Sequence, residues 1–172
     1  MNADDAHLKV LRSSTGNTRV MCSGIYGEDG PGPLVITDKD ESINSTRFAK
    51  MLQEDFRPYF VQHGKCVGLY DNAKPHIGGT ARGYMHRLGL KKLLHCPNSP
   101  DYNCIELPWN RMANMVGRNL PRGYVSRDVM IREIRRAWQV QASAECFQKD
   151  LLHVVNNMRK SLACGGGNMY KK

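Results

Sequence analysis

No run of about 18 apolar residues occurs in the chain, so no helix is expected to cross a membrane. The N-terminus, MNADDAHLKV, lacks the basic-then-apolar layout of a signal peptide, which sets the expectation of an intracellular protein. Repeats and low-complexity tracts are missing, apart from a short glycine-rich end, CGGGNMYKK. The six cysteines (Cys22, Cys66, Cys96, Cys104, Cys146 and Cys164) include no C-x-x-C pair. Scattered in this way they read as reduced, buried or half-buried thiols, not as a zinc site or disulfide framework. HGKC, His63 to Cys66, has a loosely ligand-like spacing but no second pair nearby.

What is present is an ordinary globular composition, 41% hydrophobic and 24% charged, over 172 residues, the length of one domain with a real core. The net charge of +9 is uneven. Residues 1–110 carry 13 Lys and Arg against 12 Asp and Glu, whereas residues 111–172 carry 12 against 4. A basic C-terminal third suits a polyanion, because each Lys or Arg set against a phosphate releases condensed counterions. A solvated basic face without a partner explains the same numbers equally well. Arg132, Arg135, Arg136 and Lys160 are the candidate nucleic-acid contacts.

RVMCSGIYG (Arg19–Gly27) reads as a strand, EDGPGP as a turn and LVITD (Leu34–Asp38) as the return strand of a hairpin. A helix capped by Asn44 or Ser45 follows, with Phe48, Met51, Leu52 and Phe56 at helical spacing and Pro58 as its stop. CVGLYD is the third strand and LKKLLHC the fourth, and between them a helix buries Ala81, Tyr84, Met85 and Leu88 before Gly89. Asn103 is placed to cap a helix running to about Gly117, and Ser126 another that turns Met130, Ile134, Ala137 and Trp138 inward. The last helix carries Phe147, Leu151, Val154, Val155, Met158 and Leu162 as its apolar stripe. The order β–β–α–β–α–β–α–α–α predicts an α/β fold, a mixed sheet packed by helices.

Two carboxylates stand out by position. Asp71 ends the third strand in VGLYDNAKPH, and Glu106 lies three residues past Asn103. Each has a plain structural role available: an Asx-type turn for Asp71, and a capping box with Asn103 for Glu106. Together they point to more, because strand ends and helix starts meet on one edge of an α/β sheet, where ligands collect. Carboxylates converging there hold Mg²⁺, and two such ions activate the attacking oxygen and stabilise the leaving one in phosphodiester chemistry.

YDNAKPH resembles the Q-D-N-A-P-x-H motif of the mariner-type transposases, the Tc/mariner superfamily with its Asp-Asp-Glu catalytic triad. NSPDYNCIELPW (Asn98–Trp109) resembles that family's S-P-D-L-N-P-I-E-N-L-W. Thirty-four residues separate Asp71 from Glu106, a characteristic spacing in one branch of the family. RVMCSGIY is similar to its V-M-V-W-G strand, GPLVITD to its G-x-L-x-F-I-D strand, and GGGNMY to its terminal G-G-x-T-K-Y. The likeness runs collinearly through residues 19–172, a partial catalytic domain preceded by a non-matching segment, residues 1–18.

The resemblance implies an RNase H-like fold, here lacking or replacing the first central strand. It implies that Asp71 and Glu106 are the second and third triad acids and ligands of Mg²⁺ or Mn²⁺. It places His76 beside the site, against the alternative of an exposed turn histidine, and gives Asn72 a part in shaping the turn. The implied chemistry is metal-dependent hydrolysis of DNA strands followed by attack of the freed 3′-hydroxyl on target DNA. DNA as partner, a homodimer and a nuclear location follow from the same likeness.

The pattern breaks at the first aspartate. Asp4 and Asp5 precede the weakly strand-like AHLKVLR, at the wrong end of it, and Asp38 matches a non-catalytic position. A two-metal site without its third carboxylate lacks the bridging ligand, so strand cleavage is expected to be lost. Loss of a central strand would also expose sheet edges. Pro108 replaces the motif leucine, with a tilted first helical turn as the expected cost, Cys104 replaces a proline, and Lys74 stands where the motif has proline. The family's N-terminal helix-turn-helix domains have no counterpart in the sequence. The alternative to a relic enzyme is a domesticated, non-catalytic module that binds nucleic acid or a protein; an active nuclease with an unrecognised third ligand is the remaining reading.

Overall fold

The hairpin at the centre of the computed structural model joins β2 (Arg19–Gly27) to β3 (Gly30–Ile36) across only two turn residues, Glu28 and Asp29. The turn is thus shorter than the six-residue EDGPGP expected, and the return strand starts four residues earlier than Leu34. Gly30 makes this possible: its φ of +97° is left-handed, and a Cβ there would lie 2.8 Å from the Ala144 backbone nitrogen. The structure describes residues 8–13, 16–39, 41–64, 66–94, 96 and 99–166. Asp4, Asp5 and the terminal GNMYKK lie outside the described residues.

A strand does precede the hairpin. β1 (Leu8–Arg12) pairs antiparallel with β2 from Leu8 opposite Ser23 to Arg12 opposite Arg19, giving the order β1-β2-β3. The segment without family motifs therefore supplies a partner to one half of β2. The other half, Gly24–Gly27, faces a cavity of about 560 Å³ lined also by Val67–Tyr70 and by Phe48, Phe56 and Tyr59.

Side chains of β2 alternate between two helical layers. Val20 and Cys22 point to a core built with Ile105, Trp109, Met112, Met130, Ile134 and Trp138, which come from α5 (Glu106–Asn119), the residue before it, and α6 (Arg127–Gln141). Met21 and Ile25 point to the opposite layer, where α1 (Ser45–Met51) and α4 (Gly79–Arg87) contribute Phe48, Met51, Ala81 and Met85. Trp109 and Trp138 stack with ring centroids 4.6 Å apart, and the Trp138 indole N–H donates to the Gly32 carbonyl at 3.0 Å.

The expected caps form where they are local. Asn44 Oδ1 accepts from the Arg47 N–H at 2.8 Å, and Ser126 Oγ from the Val129 N–H at 3.4 Å. Pro58 does not stop the chain's helical path. The stretch Leu52–Phe56 widens into a π-helix, and the proline opens α2 (Arg57–His63), where a missing N–H costs nothing. Gly89, at φ +72°, follows α4 as expected.

Two strands come out much shorter than read. β4 is Val67–Gly68 and β5 is Lys91–Lys92, a parallel pair separate from the three-stranded sheet, and Asp71 lies three residues beyond β4. Parallel strands need both faces covered, and here Val67, Leu93 and Leu94 are exposed. Between them, α3 (Lys74–Ile77) is a single turn.

The final helix, α7 (Ala144–Ala163), corrects the expected stripe. It buries Asp150, Val154 and Ser161, while Leu151, Leu152, Met158 and Leu162 face solvent. Asp150 turns that face inward because Arg111 clasps it with both terminal nitrogens, at 2.8 and 2.7 Å, and the Tyr26 hydroxyl donates to it at 2.7 Å.

Candidate active site and its neighbours

Asp71 stands at the start of the turn that leads into α3. Its Oδ1 accepts from the Ala73 N–H at 2.9 Å, which is the Asx turn that a D-N-A-K-P stretch favours. The same oxygen lies 2.7 Å from His76 Nδ1, the ring nitrogen donating to the carboxylate. Both side chains are buried, at 8% and 1% exposure, so His76 is not an exposed turn histidine. Its ring packs on Phe48 at a centroid distance of 4.4 Å. Asn72 is exposed, and its Oδ1 accepts from Lys92 Nζ at 2.9 Å, tying the turn to β5.

Glu106 is the first residue of α5, not the third. No capping box forms, because the Asn103 N–H is already donated to the Pro100 carbonyl at 3.0 Å. Pro108 consequently sits in the first turn, where its missing N–H removes no helical bond, and it is fully buried. Glu106 lines a pocket of about 250 Å³ together with Asp101, Asn103, Asn110, His153 and Asn157. Its Oε1 is buried and has no hydrogen-bond partner. Burial pushes its pKa up to about 7, with Lys9 drawing it down and Asp71 adding to the rise.

Sequence reasoning missed Lys9. It lies in the middle of β1, opposite Cys22, and its Nζ donates to Asn110 Oδ1 at 3.1 Å. Asn110 is one helical turn beyond Glu106, on the same face of α5. A separation of 101 residues hides this contact from any local pattern. Burial also raises the neighbouring Cys104 thiol to about 11, which makes it inert at neutral pH.

The basic candidates are spread over two helices. Arg132, Arg135 and Arg136 are exposed along one face of α6, Arg136 paired with Glu133 at 3.1 Å. Lys160 is exposed on α7. α6 packs against α5 and β3, and α7 against the Pro100–Tyr102 turn and the hairpin.

With this layout, the chain is similar to the catalytic domain of Mos1 mariner transposase: TM-score 0.75, 16% identity, covering 94% of this chain and 81% of that one. The fold is that of a mariner transposase catalytic domain. The same Mos1 domain bound to raltegravir with Mn matches at TM-score 0.75 and 16% identity, over 94% of this chain and 82% of that one. The Mos1 strand transfer complex matches at TM-score 0.75 and 17% identity, over 92% of this chain and 46% of that one. No protein-family model and no curated protein matches the sequence.

The mariner-type fold raises the question of divalent metal, and the donors present here do not fit it. A pair of ions needs carboxylates that share and bridge them. Here one oxygen of Asp71 is already taken by a backbone N–H and an imidazole N–H. Glu106 points into a separate pocket and carries the field of a lysine. Among the described residues no three His, Cys, Asp or Glu side chains are grouped so as to hold an ion.

Proposed function

We propose that this chain is a transposase-derived protein of the mariner type that has kept two acids of a metal-dependent cleavage centre and lost strand cleavage and strand transfer. The observation that carries this reading is the state of the two carboxylates. Asp71 is closed into its own turn with His76, and Glu106 lies in a different pocket with Asp101, three asparagines and His153. Asp101 lines the Glu106 pocket too, but among the described residues no three His, Cys, Asp or Glu side chains are grouped so as to hold an ion. Without a shared ligand, no pair of ions is held at the spacing needed to activate water and stabilise the departing 3′-oxygen.

The test is a nicking assay on labelled supercoiled DNA with Mg²⁺ or Mn²⁺, comparing the intact chain with Asp71→Asn and Glu106→Gln. The expected result is no cleavage by the intact chain above the level of the two variants. Cleavage that both substitutions abolish would overturn the reading and require a further ligand.

A second reading concerns what the fold still does. The exposed arginines of α6 and the excess of eight positive charges in residues 111–172 favour binding of DNA through its phosphates. The solved Mos1 relatives include a strand transfer complex and paired-end complexes, which makes DNA the partner class to try first.

A further inference from the structure

We propose that α4 and β5 form a second surface for the phosphate backbone of a nucleic-acid duplex, with Arg82, Arg87, Lys91 and Lys92 as its contacts. The inference rests on the reading of DNA as partner class and assigns that partner a surface separate from α6.

The charge is local. Residues 72–100 carry five Lys and Arg and no Asp or Glu, an excess that disappears when residues 1–110 are counted together. The fold keeps the segment in one place. α3 packs on α4, the turn at Gly89 leads directly into β5, and the Lys91 N–H donates to the Cys66 carbonyl at 3.1 Å. Arg82, Arg87, Lys91 and Lys92 are all exposed. α4 belongs to the helical layer on the opposite side of β2 from α6, so the two basic surfaces are distinct.

These cations are oriented without being neutralised. The Arg87 guanidinium lies 4.5 Å from the centroid of the Tyr84 ring, and the Lys92 ammonium 4.7 Å from that of Tyr70. Lys92 also donates to Asn72 Oδ1 at 2.9 Å, which sets the edge of the surface beside the Asp71 turn. An aromatic face or an amide holds a cation in place and leaves its charge to be balanced from outside. Among the described residues, ion pairs are made by Arg47, Lys50, Arg111, Arg136, Lys149 and two histidines, and by none of these four. On α6, by contrast, Arg136 is already paired with Glu133. Cations distributed over a helix and a strand suit a repeating polyanion, since each one set against a phosphate releases condensed counterions.

The experiment is a fluorescence anisotropy titration of a labelled DNA duplex with the full chain over a series of salt concentrations. Three proteins are compared. One is the intact chain, and one combines Arg82→Gln, Arg87→Gln, Lys91→Gln and Lys92→Gln. The third is a control of equal net charge that combines Lys39→Gln, Lys50→Gln, Arg57→Gln and Lys149→Gln. The α4–β5 variant is expected to flatten the slope of log affinity against log salt by about three to four, and the control to leave it unchanged. Equal flattening in both variants, or an unchanged slope in the α4–β5 variant, overturns the proposal. Should that variant fail to fold, Arg82→Gln with Lys91→Gln decides, since those two side chains are not the ones packed on tyrosines; the slope is then expected to flatten by about two. If the intact chain does not bind the duplex, the DNA reading falls and this surface with it. If it binds and only substitutions on α6 change the slope, this surface falls and the DNA reading stands.

Discussion

His76 Nδ1 lies 2.7 Å from Asp71 Oδ1 with both side chains buried. The bond spans one turn of chain, from the segment three residues past β4 to the single-turn helix α3, and Phe48 from α1 packs on the imidazole. A carboxylate that the sequence motif marks for metal chemistry is here the organising acceptor of its own loop.

Removing the ring should therefore be a structural lesion. His76→Ala is expected to lower the stability by about 1–3 kcal/mol, the cost of leaving a buried carboxylate short of a donor. Urea denaturation checks this; an unchanged midpoint would mean that water replaces the imidazole at no cost.

Glu106 makes stability depend on pH. Its pKa rises from 4.5 when unfolded to about 7 in the fold, so the native state holds a proton that the unfolded state has released between those values. Stability is therefore greatest below pH 4.5 as far as this group is concerned, and falls as pH rises through 7. Allowing for its partial exposure, the loss is about 1–2 kcal/mol. Denaturation midpoints across that window should decline in the intact chain and stay flatter in Glu106→Gln.

The clasp of Arg111 on Asp150 should be costly to break. Asp150 is 5% exposed and ties α7 to α5 and, through Tyr26, to β2. Asp150→Ala is expected to cost about 1.5–3 kcal/mol, because it leaves the one-third-exposed Arg111 guanidinium with only its bond to the Gln141 carbonyl. Tyr26→Phe should cost only about 0.5–1.5 kcal/mol. Thermal melts of the two variants measure the order.

Gly24 is a packing glycine. A Cβ there would lie 3.1 Å from both Trp109 Cη2 and Trp138 Cζ2. Gly24→Ala is expected to cost about 1–3 kcal/mol and to perturb the near-ultraviolet circular dichroism of the stacked indoles. A variant as stable as the parent would show that the indole pair slides freely.

If α6 meets DNA, the double variant Arg132→Ala, Arg135→Ala should bind more weakly on every sequence. The slope of log affinity against log salt should also shrink by about two. Equal slopes for parent and variant in a fluorescence anisotropy titration would take these arginines out of the interface.

Local chemistry was legible in the chain alone. The β2 strand, the caps Asn44 and Ser126, the Gly89 stop and the inward face of α6 all depend on residues within a few positions of one another. The two acidic motifs and their spacing likewise announced the fold. Tertiary structure decided the rest, because the deciding partners are far apart in sequence. Arg111 finds Asp150 39 residues away, and that bond turns α7 so that its apolar residues face outward. Lys9 finds Asn110 across 101 residues, which sets a positive charge beside Glu106. Periodicity and motif spacing name which side chains are available; only packing decides which opposite charge, which amide and how little water each carboxylate meets.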